Sequence, residues 1–133
     1  MSRYVHIIII TNKNKEFNNI KPNPTIENVL EGLEVAKEMN PDVILTVGGG
    51  SVIDVAKAIA LSLTNPDNEN VRKFTNKDFK TNPAIPIIAV PTTCGTGTET
   101  TQFFIITDNE NKTKLACADK NVFPVIAIVD TDL

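Results

Sequence analysis

The chain has 133 residues, 41% of them apolar and 22% charged, with a formal net charge of −3. That length fits one domain, over 1–133, with a core of its own. The acidic balance argues against non-specific nucleic-acid binding, which needs a basic surface, and two cysteines with one histidine argue against a disulfide framework or a multi-histidine metal site.

Residues 4–10 are β-branched and apolar without a helical period, which predicts a strand buried on both faces. The run is far shorter than the roughly 20 apolar residues that cross a bilayer. No small-residue cleavage site follows it, so neither a membrane span nor a secretory leader is expected, and a reducing, cytoplasmic setting is. The polar stretch 12–19 is expected to end the strand without structure of its own. Pro22-Asn23-Pro24-Thr25 then signals a helix entry, with Asn23 as N-cap and Pro24 at the first helical position. Ile26, Val29, Leu30, Leu33 and Ala36 mark one helix face, and Asn40-Pro41 ends that helix. Residues 43–47 predict a second buried strand. Residues 52–63 predict a second helix with Val52, Val55, Ala56, Ile59, Ala60 and Leu63 inward.

The polar stretch 64–82 reads as a loop with a short helix near 71–74. Residues 85–90 read as a third strand, with Pro86 at an edge or a strand start. Residues 103–107 and 112–118 flank Asp108-Asn109-Glu110-Asn111 as a β-hairpin, and 125–129 as a last strand. This alternation predicts an α/β fold: a parallel sheet with right-handed crossovers, flanking helices and the hairpin as an antiparallel addition.

Two loops carry the chemistry. Gly48-Gly49-Gly50-Ser51 joins a buried strand directly to a helix, where glycines let backbone approach a phosphate and the free N–H groups of the helix start stabilise its charge. The spacing matches neither G-x-G-x-x-G nor a Walker loop, and a plain tight turn with Ser51 as N-cap is the alternative. Asp54 and Lys57 stand one turn apart, the spacing of a surface ion pair. Residues 91–101 form a threonine-rich loop after another buried strand, with hydroxyls that both donate and accept. Two such loops on one sheet favour a shared crevice. Cys94 lies in the second loop with no histidine base near it in sequence, so a packed, inert thiol is expected.

Taken together, PNPT (22–25), GGGSVIDVAKAIA (48–60), IPIIAVPTTCGTGTETT (85–101), FFIITDNENKTKLACAD (103–119) and FPVIAIVDTDL (123–133) resemble the iron-dependent alcohol dehydrogenase family. NPDNENVRKF and KLACADKNVFP are similar to its lactaldehyde reductase branch. The resemblance implies a Rossmann-like nucleotide-binding domain, NAD or NADP as cofactor, and a small alcohol or aldehyde as substrate. It also implies that the family's ferrous iron is held by a C-terminal helical domain outside these residues. This part then holds no catalytic residue and no metal ligand, and is expected to be inactive alone. A non-catalytic nucleotide-binding or assembly module is the alternative.

Carried over motif by motif, the resemblance places Gly49, Gly50 and Ser51 on the pyrophosphate and Asn23 on the ribose side of the cleft. Thr92 and Thr93 fall at the adenine or phosphate end, and Thr96, Thr101 and Phe103 along the nucleotide. Lys114 falls near the nicotinamide ribose, and Asp54 near the cleft. Asn12 falls where an acidic residue meets the ribose hydroxyl if residues 4–10 are the family's first strand. A homo-oligomer is expected, formed through an open edge of that first strand or through a bared cleft face.

Overall fold

A computed structural model of the chain describes residues 6–10, 15–66 and 70–133. Five strands form one sheet in the order β2-β1-β3-β4-β7: β1 (His6–Ile10), β2 (Lys15–Phe17), β3 (Val43–Gly48), β4 (Ile87–Pro91) and β7 (Ile126–Ala127). Helix α1 (Ile26–Met39) connects β2 to β3, and α2 (Gly50–Thr64) connects β3 toward β4. The predicted α/β fold is present, and β3, β4 and β7 run parallel, with Val47 opposite Val90 and Ile88 opposite Ile126.

The expectation of a wholly parallel sheet is corrected at β1, which runs antiparallel to both β2 and β3. The polar stretch expected to be irregular contains β2. A parallel link between neighbouring strands needs a crossover of about a dozen residues, and only residues 11–14 separate β1 from β2. A short link permits a hairpin alone. β1 therefore lies between two neighbours that both oppose it, and its edges are paired, so the open edge expected there belongs to β2 instead. The reversal brings His6 opposite Val47, at the carboxyl end of β3.

The start of α1 also differs. Thr25, not Asn23, is the N-cap, its hydroxyl accepting the Asn28 N–H at 3.2 Å; Asn23 has φ 53°, a left-handed turn residue before the helix. Leu30, expected on the inner face, is 37% exposed. α1 packs closely on α2 because residue 32 is glycine: a Cβ there would meet Ile59 Cδ1 at 2.5 Å. α2 is buried for almost its whole length, against the sheet, α1 and the hairpin.

That hairpin, β5 (Phe103–Asp108) and β6 (Thr113–Ala118), forms a two-stranded sheet of its own. Phe104 and Ile106 point into the core and Phe103 and Ile105 outward, the alternation of a half-buried strand. The Thr107 N–H donates to the Pro24 carbonyl at 2.8 Å, tying the hairpin to the entry of α1. Arg72, in a 3₁₀ turn at Val71–Thr75, grips Asp108 through Nε (2.6 Å) and Nη2 (2.8 Å). Pro86 precedes β4 and its carbonyl accepts from Ile44 N–H, so it marks a strand start. Among the described residues no helix is long and apolar enough to cross a membrane.

Candidate functional site

The carboxyl ends of β3 and β4 lie side by side. Gly48 is paired with Pro91, and the Thr92 N–H donates to the Gly48 carbonyl at 2.9 Å. The glycine turn and the threonine loop therefore leave the sheet together, at the end where parallel α/β sheets bind ligands. Gly49 is the N-cap of α2, with φ −79° and no side-chain cap. Its carbonyl accepts the N–H groups of Val52 and Ile53 at 3.1 and 3.2 Å. Ser51 is thus a first-turn residue rather than a cap. The N–H groups of Gly50 and Ser51 have no acceptor within the helix, and the positive end of the helix dipole lies with them.

The threonine loop closes over this turn. A Cβ on Gly50 would meet Thr96 Cγ2 at 2.8 Å, and one on Gly49 would meet Thr93 Oγ1 at 3.2 Å. Bare backbone is therefore a steric requirement at Gly50, and the same bareness opens a helix start to an anionic ligand. Gly95 and Gly97, at φ 106° and 65°, make the reversals that bring the threonines back across the cleft.

The expected surface pair of Asp54 and Lys57 is corrected. Lys57 is fully buried. Its Nζ donates to the carbonyls of Thr98 (2.6 Å), Thr101 (2.7 Å) and Phe103 (2.8 Å), and to the Thr98 hydroxyl at 3.0 Å. That hydroxyl donates in turn to Asp54 Oδ1 at 2.7 Å, while Asp54 Oδ2 accepts the Ile105 N–H at 3.1 Å. One acid and one base on α2 thus fasten both the threonine loop and the hairpin. Burial lowers the Lys57 pKa to about 8, against the pull of Asp54 and Glu99, and raises that of Asp54 against its hydrogen bonds. The sequence carried a signal for this: Lys57 stands within Val55, Ala56, Ala58 and Ile59, in a helix apolar all round.

A cavity of about 500 Å³ opens where turn, loop and hairpin meet. Asn23, Gly50, Ser51, Asp54, Thr96, Thr101, Phe103 and Lys114, all singled out from sequence, line it. Lys114 Nζ reaches Asn23 Oδ1 at 3.4 Å, joining the hairpin to the α1 entry across 91 positions. Gly49, Thr92 and Thr93 lie outside the lining, Gly49 and Thr93 against each other. Thr98, Pro24, Ile105 and Thr107 belong to the wall as well. Thr98 was legible only as one hydroxyl among many. Asn12 lies outside the described residues.

Cys94 is exposed, not packed; Cys117 is buried, and burial pushes its thiol up to about 12. Among the described residues no three His, Cys, Asp or Glu side chains come together to hold a metal.

The model of the family described as iron-containing alcohol dehydrogenase matches residues 9–131. Lactaldehyde reductase of Escherichia coli (strain K12) is 38% identical over 117 residues, which are 88% of this chain and 31% of that protein. A crystal structure of 1,3-propanediol oxidoreductase superposes with a TM-score of 0.79 at 36% identity, covering 86% of this chain and 29% of that one. Sulfoacetaldehyde reductase from Bifidobacterium kashiwanohense, solved in complex with NAD+, gives a TM-score of 0.79 at 31% identity, covering 87% of this chain and 31% of that one. The chain thus spans about 30% of the length of the proteins it matches.

Proposed function

The chain belongs to the iron-containing alcohol dehydrogenase family, and from that premise we propose that it is the nucleotide-binding part of an NAD(P)-linked dehydrogenase that interconverts a small alcohol and its aldehyde. The observation that carries this reading is the cradle at Gly50, where an uncapped helix start, bare backbone and the Thr96 side chain bound one cavity. In it the first-turn N–H groups of α2 and the Ser51 hydroxyl donate to the cofactor's pyrophosphate. Thr96 and Thr101 offer hydroxyls along the nucleotide, and Lys114, steadied by Asn23, meets the ribose nearest the reacting ring. Thr92 and Thr93 receive the adenine half. When bound, the nicotinamide supplies hydride transfer. Asp54 and Lys57 hold the walls of the site rather than the ligand.

The chain spans about 30% of the length of the proteins it matches, and on this reading it is the part that binds cofactor and turns over no substrate by itself. Calorimetric titration of the chain with NAD+ and with NADP+ tests this. Saturable one-to-one binding of either nucleotide, with no alcohol oxidation when ferrous iron is added, is the expected result. Failure to bind both would overturn it.

A further inference from the structure

A second cavity, of about 970 Å³, lies beside the first and shares a wall with it: Phe103 lines both. Its walls come from three separate segments, the loop holding Lys77, Lys80 and Thr81, the start of β5 with Gln102, and the turn after β6 with Lys120. All three lysines are exposed, and none has a carboxylate partner among the described residues. Elsewhere Lys15 is held by Glu38 and Lys37 by Glu34.

Two carboxylates also line the cavity, Asp78 and Asp119. Asp119 is already engaged: one oxygen accepts the Thr81 hydroxyl at 2.5 Å and the other the Asn121 N–H at 2.8 Å. Those donors are neutral and leave the Asp119 charge in place, so the lining carries three ammonium groups against two carboxylates, a net positive balance. Phe79 and Phe103 add aromatic surface, and Gln102 an amide, so the cavity is equipped for a compact group with negative charge on one side and carbon on the other. With cations in excess of carboxylates, an anion in the cavity meets a net attractive charge.

We infer that this cavity binds the anionic group of the substrate, a small alcohol or aldehyde carrying a phosphate, sulfonate or carboxylate. The inference rests on the cofactor reading above. Phe103 lines the first cavity together with Lys114, which on that reading meets the ribose nearest the reacting ring, whereas Gly49 and Thr93 do not line it. The second cavity therefore adjoins the nicotinamide half of the nucleotide path rather than the adenine half.

Amide NMR of the 15N-labelled chain tests it, with glycerol 3-phosphate, lactate and uncharged glycerol as probes. Glycerol 3-phosphate or lactate should shift the amides of residues 77–81, 102 and 118–120 saturably, and glycerol should not. The double variant Lys77→Gln/Lys80→Gln alters two exposed loop side chains and should weaken that binding at least tenfold while NAD+ affinity holds. Three results would overturn the inference: shifts confined to residues 50, 51 and 96, equal shifts with glycerol, or an NADP+ affinity that falls in the double variant while NAD+ affinity stays. A parallel NAD+ titration keeps the two readings apart. Anion shifts without nucleotide binding would count against the cofactor reading alone, and nucleotide binding without anion shifts against this one alone.

Discussion

Lys57 and Thr98 are 41 residues apart in sequence and joined twice, the ammonium donating to the Thr98 carbonyl at 2.6 Å and to its hydroxyl at 3.0 Å. The same hydroxyl passes a hydrogen bond to Asp54. Thr98 is therefore held from two successive turns of α2, and with it the loop that roofs the glycine turn. The cavity proposed to take the nucleotide keeps its shape through a residue that need not touch the ligand.

Removing the ammonium would leave the carbonyls of Thr98, Thr101 and Phe103 buried or half-buried without their donor. Lys57→Met should lower stability by about 3 kcal/mol in urea unfolding, the scale for a buried charged donor removed from its partners. Protons leave folded Lys57 near pH 8, whereas the unfolded chain keeps them to its ordinary value of 10.5. Between those values the unfolded state binds more protons, so this group's contribution to stability rises with pH. The stability of the native chain minus that of Lys57→Met should therefore increase from pH 8 to pH 10. A flat or falling difference would contradict the burial of a charged lysine.

The glycine turn gives a second prediction. Gly50→Ala places a methyl group at 2.8 Å from Thr96 Cγ2, so the threonine loop must move away from the helix start. Nucleotide affinity should fall about tenfold, equivalent to ~1.4 kcal/mol, with the fold retained. Thr96→Ser removes the opposing methyl group and should restore part of the affinity in the double variant. Gly49→Val should also abolish binding, by driving Thr93 outward; the φ of −79° at Gly49 is ordinary for valine, so strain in the turn is not the cause.

Asp108 illustrates a different pH dependence. The Arg72 guanidinium, gripping it at 2.6 and 2.8 Å, and Asn111 beside it hold its carboxyl well below the usual carboxylate range. A carboxylate depressed in the folded state adds stability above its unfolded pKa and loses it as pH falls through the folded value. Arg72→Met should therefore move the midpoint of acid unfolding to higher pH, followed by circular dichroism. An unchanged midpoint would mean that the hairpin turn is held without this pair.

How much of this was legible depends on whether the determining contact is local. The glycine turn and the hairpin follow from spacing and turn chemistry, and they stand where the sequence puts them; α2 is buried well beyond its predicted face, while Leu63 on that face is only partly buried. The direction of β1 depends on what residues 11–14 can span, and an apolar strand reads the same in either direction. Likewise Lys57 at i+3 from Asp54 looks like a surface pair until the segments holding Thr98, Thr101 and Phe103 are laid over the helix. Helix caps were missed by two residues because Asn23 and Thr25 are both good caps, and the Asn23 φ of 53° decides against it.

The final strand exposes the chain to self-association. Among the described residues β7 pairs with β4 along one side only, through Ile88–Ile126 and Ala89–Ala127, and is the end of the sheet. Around it Val125, Ile126, Ile128 and Val129 are 63, 51, 48 and 69% exposed, so apolar side chains flank a row of backbone groups free to pair. An edge of this kind matches a second copy of itself, because antiparallel pairing about a two-fold axis buries the same side chains from both chains at once. The chain should therefore form a dimer at micromolar concentration, seen by sedimentation equilibrium. Val125→Lys/Val129→Lys places two ammonium groups at each half of that contact. Each chain loses two valines, and one from each side already removes about 3 kcal/mol of apolar burial, enough to weaken association at least a hundredfold. A dimer that survives the lysines would move the contact to the outward face of the hairpin, where Phe103 and Ile105 are 56 and 48% exposed. In that case NAD+ should compete with dimerisation, since both residues line the cavity proposed to take the cofactor. A monomer at all concentrations would mean that neither apolar face is sufficient to hold two copies together.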